Sequence, residues 1–544
     1  MKHTFILLFL AAATAVAQDT ITKSDIRAAE KMFGLQFNEA KRDSMLGDLH
    51  AQRQSYENLR KTDLANNVVP SILLNPIPVG MTLPKGKSIF GFELPDNVSV
   101  PKNQDELAFY SVAELASLIK SKKITSTQLT ALYLERLKKY GPILQCVITL
   151  TDSLALAQAA RADKEIAAGK YRGPLHGIPY GAKDLLSAKK YPTTWGSVPF
   201  KKQLIDEDAT VIKKLEQAGA VLVAKLTMGE LAWGDVWFGG KTRSPWDTSQ
   251  GSSGSSAGSA SATAAGLVAF AIGSETYGSI VSPSTRCGTS GLRPTYGRVS
   301  RAGAMALSWT MDKLGPICRS AEDCAIVFNA IYGPDRMDQT VFDVPFRYEP
   351  KRINLKKLRI GYVKTDFDSA KFWKSFNDSA LSVFRYLGAS LIPIELPDYP
   401  VDDIVIMLSA ESAAAFDDVT RSGKDDMMVR QIKNAWPNSF RASRFIPAVE
   451  YIQASRVRSM LIQSMAKLMD TIDVYINPSL EGNSLLLTNL TGHPCITVPN
   501  GFTEKGTPVS ITFTGRLFDE GTVLAVAKIY QEATGFHLKH PKRD

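Results

Sequence analysis

The chain has 544 residues, 44% hydrophobic and 22% charged, with a net charge of +10. This composition is globular and long enough to bury a large core, which excludes a disordered or fibrous chain. The basic excess lies in short runs such as "KSKK" at 120–123, with no Lys/Arg stripe interleaved with aromatics, so no nucleic-acid partner is expected.

The N-terminus, "MKHTFILLFLAAATAVAQ", has a basic start at Lys2, an apolar stretch from Phe5 to Ala13, and small residues at Ala15 and Ala17. It predicts a signal peptide over residues 1–17, cleaved after Ala17, and a secreted or periplasmic mature protein. A membrane anchor needs about 18 to 20 unbroken apolar residues. No segment supplies them, so no membrane span is expected. Helical patterns follow over Lys23–Met32 and Asn38–Arg60. Then Pro70, Pro76, Pro78, Pro84, Pro95 and Pro101 mark an extended stretch that runs over the surface, because proline cannot donate to a sheet ladder. Residues 18–104 read as an N-terminal helical and extended segment, and 105–544 as one domain.

"SVAE" at Ser111 and Glu114 and "TSTQ" at Thr125 and Gln128 are capping boxes that open two helices. Leu129, Leu132, Tyr133 and Leu137 share one face of the second. From Cys146 onward, strand-like and helix-like segments alternate: "CVITL", an Ala-rich run over 153–169, "GIPYGAKDLL", a helix near 208–218, and "VLVAKLT". "LRIGYV", "SLIPIEL", "DVYINP", "PCITVP" and "VSITFTG" follow, with a helical region over 402–470 between the second and third of these. The alternation predicts an α/β fold, with a central mixed, twisted sheet covered by helices on both faces. Cys146, Cys287, Cys318, Cys324 and Cys495 have no CxxC spacing and read mostly as small buried apolar residues. The six histidines lack any HExxH spacing, so neither metal nor cofactor is expected.

The stretch "SSGSSAGSASATAAG" over 252–266 has the composition of a flexible linker, yet it runs into the apolar "LVAFAIG", where a core is expected. Gly254, Ser256 and Gly258 match G-x-S-x-G, the nucleophile elbow of an esterase or related hydrolase. That elbow requires a strand just before it, and "RSPWDTSQGSS" cannot form a buried one. Ser187 and Lys190 match S-x-x-K without the motifs that accompany it.

Three separated blocks explain more together: "GIPYGAKDLL" with Lys183, "SGSSAGSASATAAG" with Ser255, and "GSETYGSIVSPSTRCGTSGLRPTYGRVS" with Ser279. With "SPWD", "GPICRSAEDCA" and "NLTGHPCITVPNGF", the chain resembles the amidase signature family over roughly residues 105–535. The resemblance implies a single amidase-signature domain that hydrolyses carboxylic amides of small molecules or peptides, without a cofactor, through an acyl-enzyme on Ser279. It places a Ser-cisSer-Lys triad on Ser279, Ser255 and Lys183, with a cis peptide between Gly254 and Ser255. The oxyanion hole falls on the backbone N–H groups of Thr276, Tyr277, Gly278 and Ser279. Gly254, Ser256 and Glu275 are supporting residues; Glu275, where the family usually has Asp, is expected near Lys183 or the oxyanion turn.

A serine hydroxyl needs a base to become a nucleophile, and lysine is a base only when neutral, which calls for burial. His176 and His493 are expected to be structural. Tyr277 adds an aromatic group to the oxyanion turn, and Val281 stands where many members have arginine, so neutral, aromatic or peptide-type amides are favoured. A signal peptide argues against the tRNA-dependent amidotransferase role found in the same family. From another class, the scaffold could be a catalytically silent binding protein. Neither the oligomeric state nor the acyl and amine groups of the substrate can be read from the sequence.

Overall fold

The computed structural model describes residues 20–542, so the expected signal peptide lies outside the described residues. These residues form two compact units, 20–68 and 69–542. The small unit holds two helices, Lys23–Phe33 and Glu39–Leu59, close to the expected spans. Thr22 and Asp25 form a capping box on the first, and Gly34 ends it with φ of 65°. Arg42 of the second helix pairs with Glu30 of the first at 2.8 Å.

The proline-marked stretch is expected to group with these helices, but from residue 69 it belongs to the large unit. Its apolar side chains have partners there: Ile77, Met81 and Leu83 pack on Val344, Leu517 and Phe518. Ile89–Phe90 also pairs in parallel with Arg347–Tyr348, apart from the central sheet.

Eleven strands form that central sheet: β1 (Val147–Leu150), β2 (Pro179–Lys183), β3 (Val221–Leu226), β4 (Phe270–Glu275), β5 (Ser290–Arg293), β6 (Lys313–Cys318), β7 (Ile360–Val363), β8 (Leu391–Ile394), β9 (Val474–Pro478), β10 (Cys495–Phe502) and β11 (Pro508–Gly515). Their order is β8-β7-β9-β11-β10-β5-β6-β4-β2-β3-β1. The β8–β7, β7–β9, β4–β2 and β2–β3 pairs are parallel, and the rest antiparallel. Successive strand residues face opposite sides, and in β4 this puts Phe270 and Ile272 into one hydrophobic cluster and Ala271 into another. Both faces are therefore covered, as expected for an α/β layer fold.

Both capping boxes form, at Ser111–Glu114 and Thr125–Gln128. The 402–470 region is helical and ends in the helix Ala448–Thr471. All five cysteines are buried and free. Among the described residues, no helix is long and apolar enough to cross a membrane.

Candidate active site

Lys183 ends β2, where Tyr180 and Ala182 point into the main core and anchor the strand. Its side chain is fully buried. Nζ lies 2.8 Å from Ser255 Oγ, 2.8 Å from Ser274 Oγ and 3.1 Å from Ser256 Oγ. Among the described residues no carboxylate comes within ion-pairing distance of it. Burial pushes its pKa well below the ordinary lysine value, outweighing the opposing fields of Asp312 and Glu275. The amine thus donates to uncharged serine hydroxyls, a setting that suits its neutral form.

The Gly/Ser stretch is part of the core. Ser256 precedes the helix Ala257–Ala264, all eight of whose residues are buried. The Gly254–Ser255 peptide is cis. A Cβ at Gly254 would lie 1.8 Å from the carbonyl oxygen of Gly234, and one at Gly258 would lie 2.4 Å from that of Cys146. Glycine is needed at both positions because neighbouring backbone occupies the space of a side chain. Ser256 Oγ donates to Ser274 O at 3.0 Å and accepts the Ser274 N–H at 3.1 Å, which fastens this segment to the end of β4.

Residues 276–280 form the turn between β4 and the helix Val281–Cys287. Gly278 has φ of 82°, a left-handed conformation that favours glycine. Among the described residues no protein acceptor takes the N–H of Tyr277, Gly278 or Ser279. Ser279 is 9% exposed. Its carbonyl accepts the Ser256 N–H at 3.1 Å, which joins the two serine segments through their backbones. No hydrogen bond links the hydroxyls of Ser279 and Ser255 in this structure; catalytic hydrogen bonds are often loose before substrate is bound.

Glu275 stands behind the turn. It accepts the N–H of Ile280 at 2.8 Å and of Val281 at 3.0 Å, and pairs with Arg293 at 2.9 Å. Burial opposes its ionisation, but Arg293, Lys313 and these N–H donors prevail and hold the carboxyl down to about 2. Glu275 therefore braces the end of the 276–280 turn, and no hydrogen bond or ion pair joins it to Lys183 among the described residues.

The elbow reading has no structural basis. No strand immediately precedes Gly254, and Ser256 Oγ meets Lys183 and Ser274 but no histidine. Burial pushes His493 down to about 3, and its Nδ1 lies 2.8 Å from Thr491 Oγ1. His176 Nδ1 accepts the Arg172 N–H. Ser187 is buried and Lys190 exposed, so that pair forms no site.

Sequence reasoning did not single out Ser274, the Asp184–Lys225 ion pair at 2.8 Å, Arg293, or Asn489, which donates to Glu275 at 2.9 Å. Asp184 adjoins Lys183 and Ser274 lies in the same block as Ser279, so adjacency was the available signal. Arg293 lies in that same block and Asn489 opens the block "NLTGHPCITVPNGF", but block membership alone does not tell that both meet Glu275.

The family model for amidases matches residues 128–487. Over 487 residues, the chain is 32% identical to a glutamyl-tRNA(Gln) amidotransferase subunit of Carboxydothermus hydrogenoformans, covering 80% of this chain and all of that one. The native peptide amidase of Stenotrophomonas maltophilia superposes with a TM-score of 0.72 at 29% identity, over 81% of this chain and all of the other. A bacterial aryl acylamidase of the amidase signature family shares the fold, with a TM-score of 0.70 at 22% identity, over 79% of this chain and 98% of the other. Fold, matched blocks and sequence agree: the chain belongs to the amidase family, whose chemistry is amide hydrolysis.

Proposed function

We propose that the protein hydrolyses amides to a carboxylate and an amine or ammonia, through an acyl-enzyme on Ser279. Ser279 Oγ attacks the amide carbon, its proton passes to Ser255 Oγ, and the Ser255 proton passes to neutral Lys183 Nζ. The C–N bond then breaks as the relay runs in reverse and protonates the leaving nitrogen. Water, deprotonated through the same relay, releases the acid. The N–H groups of Thr276, Tyr277, Gly278 and Ser279 receive the oxyanion. Each such donor is typically worth about 2.7 to 4 kcal/mol.

The carrying observation is Lys183, fully buried and 2.8 Å from Ser255 Oγ without a carboxylate partner. Val281 is fully buried and brings no charge to the site, while Tyr277 is 45% exposed beside it. This favours neutral, aromatic or peptide-type amides as substrates. Hydrolysis outside the cytoplasm, after removal of residues 1–17, is preferred over the transfer reaction named for the amidotransferase relatives.

A serine-directed fluorophosphonate should label the native protein and leave Ser279→Ala unlabelled. Absence of label on the native protein would favour the silent scaffold.

A further inference from the structure

The turn 276–280 is held by a carboxylate at each end. At its far end Glu275 accepts the N–H groups of Ile280 and Val281. At its near end Thr276 Oγ1 donates to Asp312 Oδ1 at 2.5 Å. The sheet brings this second pair together: Lys313, the first residue of β6, lies opposite Glu275, the last of β4, so Thr276 and Asp312 meet just beyond the ladder. The other oxygen of Asp312, Oδ2, accepts the N–H groups of Leu307 at 2.8 Å and Ser308 at 3.0 Å. These bonds close the loop 307–312 on itself and fix the direction of the carboxylate.

The same loop is seated on the helical region. Glu411, on the helix Ile406–Ala415, accepts from Ser308 Oγ at 2.6 Å, from the Thr310 N–H at 3.1 Å and from Thr310 Oγ1 at 2.7 Å. Arg458, on the helix Ala448–Thr471, donates to Thr310 Oγ1 and to Thr310 O, each at 2.9 Å. Glu411, Arg458, Ser308 and Thr310 are all buried. Met311 packs with Met407 and Leu461 of the same two helices. A buried carboxylate and guanidinium that share one threonine hydroxyl are costly unless every bond is made, so the loop has one favoured seat.

We infer that Asp312 is a positioning residue that aims the oxyanion donors through Thr276, and that Glu411 sets Asp312 from the helical region. This rests on the reading of the 276–279 N–H groups as the donors to the oxyanion. Among the described residues no protein acceptor takes the N–H of Tyr277, Gly278 or Ser279, so their direction depends on how the turn is anchored. The oxyanion develops only as the transition state is reached. Misaimed donors therefore lower kcat and leave KM nearly unchanged.

The test measures kcat and KM on 4-nitroacetanilide, together with the second-order rate of labelling by a fluorophosphonate, whose phosphonyl oxygen takes the place of the carbonyl oxygen. Labelling needs no matched substrate and decides alone if this anilide is not cleaved. Thr276→Val keeps the side-chain shape and removes the donor to Asp312. Both kcat and the labelling rate should fall by about 10- to 100-fold, the scale of a donor displaced by about 1 Å. Thr276→Ser restores the hydroxyl and should recover most of the loss. Asp312→Asn keeps one acceptor oxygen where two are used and should fall at least as far as Thr276→Val.

Glu411→Gln should give a smaller fall, about 2- to 10-fold. Combined with Thr276→Val it should add little, because the tie to the turn is already cut. Factors that multiply in the double variant overturn the link from Glu411. Native rates in Thr276→Val, or a loss that lies in KM, overturn the assignment and leave the hydrolase reading standing. A native protein that neither cleaves the anilide nor takes the label overturns the hydrolase reading, and this assignment with it.

Discussion

Two lysines end neighbouring strands of the sheet, and the structure treats them oppositely. Lys225 near the end of β3 and Lys183 at the end of β2 are both fully buried. Lys225 finds the Asp184 carboxylate at 2.8 Å, with Thr193 Oγ1 at 3.0 Å. Lys183, one residue before that same aspartate, finds three serine hydroxyls. Burial makes a free charge costly at either place, and the partner decides how the cost is met. A carboxylate meets it with an ion pair. Hydroxyls meet it by accommodating the neutral amine, the form that can take a proton.

Exchanging these environments tests the contrast, and the largest effect is expected from removing the base. Lys183→Ala should lower kcat for amide hydrolysis by about 10^3- to 10^4-fold, while His493→Ala keeps most of the turnover; steady-state kinetics on an anilide measures both. The reverse pattern would point to a histidine-based relay. Next in size, Lys225→Met leaves Asp184 buried without its partner and should cost about 3 to 5 kcal/mol of stability, read as a lower midpoint in urea. Asp184→Asn combined with Lys225→Met should recover part of that loss. If Lys225→Met kept native stability but lost activity, the contrast between the two lysines would fail.

The smallest and most diagnostic change is Ser274→Asp, which gives Lys183 the kind of partner that Lys225 has. With the native lysine pKa lowered, activity rises with pH as the amine loses its proton and levels off once it is neutral. A neighbouring carboxylate favours the protonated form, so the rising limb of the kcat/KM profile should move to higher pH by about 1 to 3 units. A profile already maximal near pH 5 in the native protein would argue against a lysine base.

Much of the architecture was legible because it follows local rules. The capping boxes at Ser111 and Thr125, the two N-terminal helices, and strands such as Val221–Leu226 appear where periodicity and caps place them. The strands that carry the site were harder to see. Phe270–Glu275, Ser290–Arg293 and Lys313–Cys318 contain Gly273, Gly291 and Gly315. A Cβ at these glycines would lie 2.8 Å from Ser256 Oγ, 2.3 Å from Ser284 Oγ and 2.0 Å from Leu292 O, respectively. These central strands give up β-forming side chains to admit close neighbours, so their apolar pattern is weak. The glycines that make room for the site also hide its strands.

The sequence by itself determined the family, the α/β class and the serine and lysine positions of the candidate site, because these lie in contiguous blocks whose residue types the chemistry constrains. Only the tertiary structure decided that Glu275 pairs with Arg293 and accepts from Asn489, and that Asp184 belongs to Lys225 and not to Lys183. Those outcomes depend on which distant segments share a buried space, and spacing along a chain carries no record of that.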